Sequence, residues 1–184
     1  MLSVASLDIS KALLIGGWMS EKELLWLATQ AQQRHLIVEF GSLHGRSTRA
    51  LADNCSGTVW AVDPWSGEYY TEDGSVVDNI NTFVMPYFLR NLRDHIDSGR
   101  VMPSRGFSYG FNLPFKVDMV FIDGDHRYEI VVKDIKKSYD LLKDGGLICG
   151  HDYGHPVWPG VKKAVDELVR EVKLEGCIWH SLKS

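Results

Sequence analysis

The chain has 184 residues, is 45% hydrophobic, and carries 24 acidic against 20 basic side chains, for a net charge of -4 with histidine neutral. That length suits one domain with a sizeable core, and the acidic balance argues against the basic face of a nucleic-acid or membrane-surface binder. Three widely spaced cysteines, Cys55, Cys149 and Cys177, include no C-x-x-C pair, so neither a disulfide framework nor a zinc knuckle is expected and a reducing, cytoplasmic setting is.

Residues 1–34 form a helical lead-in. The apolar patch at 12–19 is interrupted by Gly16-Gly17 and has no basic leader, unlike a signal peptide, and no run reaches the ~20 apolar residues of a membrane span. Ser20-Glu-Lys-Glu23 has the form of a capping box, followed by Leu24, Leu27, Ala28 and Ala31 at helical spacing. Residues 36–40 then read as a buried strand that runs into Gly41-Ser42-Leu43-His44-Gly45 and a helix over 47–54. Glycines at both ends of that turn allow positive φ and close approach of a ligand, with N–H groups of the helix start facing it. A second strand, 58–62, stops on Asp63, 22 residues beyond Gly41, where a carboxylate is placed to accept hydrogen bonds from ribose hydroxyls.

Beyond a helix over 88–96 and a short strand near 100–103, the run Val117-Asp-Met-Val-Phe-Ile122 is apolar enough for burial on both faces of a parallel sheet. It ends at Asp123-Gly-Asp125-His126. The next helix has Tyr128, Val131, Val132, Ile135, Tyr139 and Leu142 on its inner stripe, with Gly145-Gly146 as its stop. A strand at 147–150 ends in His151-Asp152, a helix follows with Val161, Ala164, Val165, Leu168 and Val172, and residues 177–182 make a last strand. The alternation predicts an α/β, Rossmann-like, doubly wound and mostly parallel sheet of six or seven strands with helices on both faces, in a single domain.

Ligands of such sheets bind beyond the carboxyl ends of the strands, and Glu39, Asp63, Asp123 and His151-Asp152 all fall there. The turn is G-x-x-x-G, not the G-x-G-x-x-G of dinucleotide enzymes, and the chain has no G-x-x-x-x-G-K-[ST] loop. Residues 66–90, rich in Tyr, Asp, Gly and Asn after Trp65 and including Tyr69 and Tyr70, read either as a lid over the ligands or as a solvated connection.

Glu39-x-Gly41-x-x-x-Gly45 with Asp63 resembles the acidic-x-Gly-x-x-x-Gly signature of class I S-adenosylmethionine-dependent methyltransferases. The segment from Phe121 through Asp123, Asp125, His126 and Asp134 to Leu-Leu-Lys-Asp-Gly-Gly-Leu-Ile and His151-Asp152 resembles their catechol-type and antibiotic-tailoring O-methyltransferase branch, and the likeness runs from Ser20 to Val172. The resemblance implies S-adenosylmethionine bound by Glu39, Gly41, Ser42, Leu43, Gly45, Ser47, Asp63, Gly106, Phe107 and Asp123. Gly41 and nearby backbone would hold the methionine end, Ser47 its carboxylate, Asp63 the ribose, and the region of Gly106 and Phe107 the adenine. It also implies a divalent metal on Asp123, His151 and Asp152. An imidazole beside two carboxylates suits manganese, iron, cobalt or zinc better than magnesium. His126 stands where catechol enzymes carry a catalytic lysine, making His126 and Asp123 the catalytic pair. His151 acting as base without a metal remains open, with His155 a spare for either task and Tyr153 and Trp158 as walls for a planar acceptor.

The function expected is O-methylation of a small hydroxylated acceptor, with no nucleic-acid or membrane partner; homo-oligomerisation stays open. Two alternatives stand beside it: a cofactor- or partner-binding protein of the same fold without turnover, and a hydrolase or sugar-hydroxylating relative that uses the acid cluster but not Asp63. The chain lacks the Asn/Asp-Pro-Pro-aromatic motif of nucleic-acid amino-methylating enzymes at the end of the 117–122 strand.

Overall fold

The expected alternation of helix and strand is present in the computed structural model, which describes residues 6–70, 75–79 and 84–184. A short helix α1 (Ser10–Leu13) precedes α2 (Glu21–Gln32), where Ser20 and Glu23 complete the capping box and Leu24, Leu27, Ala28 and Ala31 are buried. Strand β1 (Leu36–Phe40) leads through the glycine turn into α3 (Arg46–Asn54) and then β2 (Thr58–Asp63). Strands β3 (Glu68–Tyr70) and β4 (Val76–Asn79) pair antiparallel apart from the main sheet, within the segment expected as a lid. Part of that segment, residues 71–74 and 80–83, lies outside the described residues.

Helices α4 (Val84–Asn91) and α5 (Arg93–Asp97) replace the single helix expected over 88–96. They divide at Leu92, whose backbone leaves helical geometry (φ -109°, ψ 10°) while its side chain is fully buried under the glycine turn. Strand β5 (Val101–Arg105) is followed by a 3-10 turn, by β6 (Val117–Ile122) and by α6 (Tyr128–Leu141). The expected stop of that helix at Gly145-Gly146 is corrected: it ends at Leu141, and β7 (Leu142–Gly150) begins at once. The two glycines sit instead in an irregularity of β7, where the pairing with β6 jumps from Val117↔Leu142 to Met119↔Leu147. Helix α7 (Pro159–Leu168), β8 (Lys173–Glu175) and β9 (Ile178–Leu182) complete the chain. The sequence gives no signal for β8 because all three of its side chains are exposed, leaving no alternation to detect.

The seven-stranded sheet runs β5-β2-β1-β6-β7-β9-β8, parallel from β5 to β7, with β9 antiparallel to β7 and β8 antiparallel to β9. One buried cluster joins α1 to α5 to one face, and a second joins α6 and α7 to the other, so helices cover both faces. The order reverses between β1 and β6, and the crevice beyond the tips of those strands is where a doubly wound sheet places its ligand. No helix among the described residues is long and apolar enough to cross a membrane, and the three cysteines are free thiols.

Candidate functional site

The tips of β1, β2 and β6 are locked together by their own polar groups. Gly41 adopts φ 87° and its N–H donates to Val62 O at 2.9 Å, while Asp123 N–H donates to Phe40 O at 2.8 Å. A Cβ at Gly41 would overlap the Asp123 carbonyl, and one at Gly45 (φ 90°) would overlap Leu92. Both glycines are therefore required by close packing of the chain on itself, and Gly41 also borders the cavities described below. Gly45 lines neither of the cavities described below.

Glu39 is fully buried, and its Oε2 accepts hydrogen bonds from Ser42 Oγ at 2.5 Å and from Thr48 Oγ1. Burial raises its carboxyl to about 7, against the opposing hydrogen bonds of Ser42, Ser47 and Thr48. It ties the turn to the start of α3 and lines neither cavity, so its place is behind the cradle. Asp63 does a similar job from the side: Oδ2 accepts from the N–H groups of Ser42 (2.8 Å) and Leu43 (2.9 Å), and Oδ1 from Trp65 N–H. Burial raises its pKa despite those three donors. The Ser42 and Leu43 N–H groups, in the turn ahead of the helix start, are thus taken by Asp63.

Two cavities flank this junction. One, of about 360 Å³, is lined by Asp63, Gly106, Phe107, Ser108 and Asp134, among others. Phe107 is exposed and stacks on Tyr109 with centroids 5.3 Å apart. Asp134 is buried and accepts from Ser108 Oγ, and burial lifts its carboxyl to about 7. The other cavity, of about 330 Å³, is lined by Ser42, Ser47, His151, Asp152, His155 and Trp158, and by Gly16, Gly17, Trp18 and Met19 of the lead-in. Gly41, Leu43, Asp123 and His126 line both, so the two spaces meet there.

At that meeting point the ligand atoms of Asp123, His126 and Asp152 come within 4.8 Å of one another. His126 lies flat against Trp158, with ring centroids 4.6 Å apart, and places Nε2 at 2.8 Å from Asp152 Oδ2 and 4.0 Å from Asp123 Oδ1. That nitrogen is buried and has no aligned hydrogen-bond partner among the described residues. Burial raises Asp123 to about 6, with the Asp152 charge adding to it and His151 and His126 opposing. Asp152, at a strained φ of 60°, suffers the same burial but is held below the usual carboxylate range by His126 and His151. His151, although burial opposes its charge, is raised to about 10 by Asp152, Asp123 and Glu23. Its Nε2 is engaged by Glu23 Oε1 at 3.1 Å, leaving Nδ1 at 3.3 Å from Asp152 and 3.7 Å from Asp123. His126 therefore converges on the two carboxylates, and His151 Nδ1, of the expected set Asp123, His151 and Asp152, stands beside the same pair.

Sequence reasoning missed the residues that the lead-in brings here. Arg46 anchors that segment: its Nε donates to Met19 O at 3.1 Å and its Nη1 to Ile15 O at 2.5 Å, which lays Gly16–Met19 along the cavity. The broken apolar patch ahead of the Ser20 capping box was the available signal. Tyr153 does not line the cavity beside Trp158; its hydroxyl donates to Asp166 Oδ1 at 2.7 Å.

A family model for the methyltransferase domain matches residues 38–153, which holds every strand tip described above. A 62-residue stretch is 39% identical to the uncharacterized protein R132 of Acanthamoeba polyphaga mimivirus, covering 33% of this chain but only 28% of that relative's length. Among solved structures, the O-methyltransferase of Bacillus cereus in complex with SAH superposes with a TM-score of 0.67 at 16% identity, over 98% of this chain and 94% of that one. A Clostridium thermocellum protein whose name proposes an rRNA-methylase gives 0.64 at 17% identity, over 91% and 100%. At such identities the likeness establishes a Rossmann-like methyltransferase fold, which by itself does not dictate an acceptor.

Proposed function

The chain belongs to the methyltransferase-domain family, and from that premise we propose that it binds S-adenosylmethionine across the two cavities and transfers the methyl group to an oxygen of a small hydroxylated acceptor. The observation that carries this reading is the junction itself. A cavity with an acidic strand tip and an exposed aromatic face opens, past Gly41 and Leu43, onto a cavity with an imidazole and two carboxylates.

In this arrangement adenosine occupies the space of Asp63, Phe107 and Asp134. The ribose hydroxyls donate to the remaining acceptor capacity of Asp63, and the buried Asp134 carboxylate supplies an acceptor for the adenine amino group. The methionine end passes Gly41, Leu43 and Ser47. Transfer is an in-line displacement: the acceptor oxygen forms a bond to the methyl carbon as the carbon–sulfur bond breaks, and the sulfonium leaves as a neutral thioether. The protein's work is alignment and removal of the acceptor proton. His126 Nε2, buried beside Asp152 at the junction and steadied by Trp158, is the group we assign to take that proton.

The donor set of Asp123, His126 and Asp152 also fits a divalent cation, because the unaligned buried Nε2 faces two carboxylates. Such a cation, when bound, supplies Lewis acidity that makes an acceptor hydroxyl easier to ionise. His126 cannot be ligand and base at once, so metal dependence separates its two uses.

The test is calorimetric titration with S-adenosylhomocysteine, followed by methyl-transfer assays over phenols, sugars and hydroxy-amino acids with and without EDTA. Binding that Asp63→Ala weakens at least tenfold is expected. Wild-type protein that binds no S-adenosylhomocysteine overturns the reading; binding without turnover on any acceptor points to the cofactor-binding protein without catalysis.

A further inference from the structure

Glu23 has two oxygens with separate duties. As the third residue of α2 it completes the capping box through Oε2, which accepts Ser20 N–H at 2.8 Å and Ser20 Oγ–H at 2.7 Å. A capping glutamate needs only that oxygen, and its second one ordinarily faces water. Here Oε1 turns inward to His151 Nε2 at 3.1 Å, across 128 residues of chain, and both side chains are largely shielded from solvent. The Gly176 turn between β8 and β9 lies over the contact, with a hypothetical Cβ there only 3.6 Å from Oε1.

A carboxylate oxygen only accepts, so the contact requires a hydrogen on Nε2 of His151. The backbone of His151 is already fixed by its N–H bond to Ile122 O at 3.0 Å, which leaves the ring's rotation as the free variable. With Nε2 held outward, Nδ1 must face Asp152 and Asp123 at the cavity junction. Neighbours of this kind fix the ring orientation in histidine sites.

We propose that Glu23 is a positioning residue of the reacting site: by holding Nε2–H of His151 it aims Nδ1 at the Asp123 and Asp152 carboxylates, and so makes the start of α2 part of that site. The inference rests on the reading that this cluster is the reacting end of the cavity pair, but its geometry is testable without an acceptor.

The experiment compares Ser20→Ala with Glu23→Ala in protein labelled with nitrogen-15 histidine, the His151 ring signals being assigned by their loss in His151→Gln. Both substitutions break the capping box, and only Glu23→Ala removes the contact to His151. The expected result is a slowly exchanging His151 Nε2–H in wild type and Ser20→Ala, and loss of that signal in Glu23→Ala, with S-adenosylhomocysteine affinity within threefold in all three. Persistence of the signal in Glu23→Ala, or its loss in Ser20→Ala as well, overturns the proposal. Absence of S-adenosylhomocysteine binding in wild type sinks the functional reading instead and leaves the ring spectrum unaffected. With any acceptor that the wild type methylates, Glu23→Ala is expected to lower kcat at least tenfold with KM for S-adenosylmethionine unchanged, and Ser20→Ala to stay within twofold.

Discussion

Gly41 and Asp123 touch backbone to backbone: the space a Cβ would need at Gly41 is filled by the Asp123 carbonyl carbon and oxygen and the Gly124 α-carbon. Two strand tips that belong to different halves of the sheet are thereby brought side by side, and the cavities meet over them. Gly41→Ala must overcome both this overlap and a φ of 87°. It is expected to lose ~3 kcal/mol or more of stability and to weaken S-adenosylhomocysteine at least tenfold. Gly110→Ala, where a Cβ meets nothing within 4 Å, is the control and is expected to melt within a degree or two of wild type. Equal melting of the two variants in a thermal denaturation series would show that the junction tolerates a side chain.

Asp123, His126 and Asp152 present converging donor atoms, and His151 adds Nδ1 beside the same carboxylates while its Nε2 is committed to Glu23. Titration with manganese is expected to show a site that His126→Gln and Asp152→Asn each weaken by tenfold or more. His151→Gln is expected to cost less than either. If His151→Gln abolishes the site and His126→Gln leaves it intact, the ligand set is the one first expected from the resemblance, and His126 is free to act as base in its presence.

How much of this was legible in the sequence follows from what kind of signal each feature leaves. Buried strands and the stripe of α2 leave apolar periodicity, and Leu24, Leu27, Ala28 and Ala31 are buried as that periodicity requires. Strand tips leave acidic residues after apolar runs, so Asp63, Asp123 and Asp152 could be placed on one rim. What could not be read was the division of labour on that rim. Glu39 and Asp63 spend much of their hydrogen-bonding capacity on the turn itself, and nothing in their spacing distinguishes a carboxylate that faces a ligand from one that braces its cradle. The Glu23–His151 contact joins residues 128 positions apart and has no local trace at all. Exposed β8 and the bulge at Gly145-Gly146 were invisible for the opposite reason, since neither buries a pattern of side chains.

Asp134 offers a test of which base occupies the cavity of Phe107 and Ser108. A buried carboxylate there accepts hydrogen bonds and cannot, when ionised, donate one, so an amino group at position 6 of a purine suits it and a keto oxygen does not. Wild-type protein is expected to prefer S-adenosylhomocysteine over S-inosylhomocysteine by ten- to a hundredfold at pH 8, in line with the ~1.5–3 kcal/mol of a hydrogen bond to a charged group. Asp134→Asn, whose amide can meet either base, is expected to shrink that preference to within threefold. An unchanged preference in competition binding would assign the discrimination to other groups.

The buried Glu39 carboxyl makes stability depend on pH in a direction opposite to that of a salt-bridged acid. Burial raises its pKa from 4.5 to about 7, so between those values the native state holds a proton that the unfolded chain has released. The stabilisation from that difference is complete below about pH 4.5 and is lost as pH rises through about 7. Glu39→Gln cannot ionise, and although it changes the hydrogen bonds to Ser42 and Thr48 at every pH, that offset cancels when one variant is compared with itself at two pH values. Urea unfolding at pH 5 and pH 8 is therefore expected to show wild type losing ~2–3 kcal/mol more than Glu39→Gln over the interval. Parallel losses in the two proteins would mean that the Glu39 carboxyl ionises at an ordinary value, and that the brace behind Gly41 and Thr48 is a carboxylate throughout.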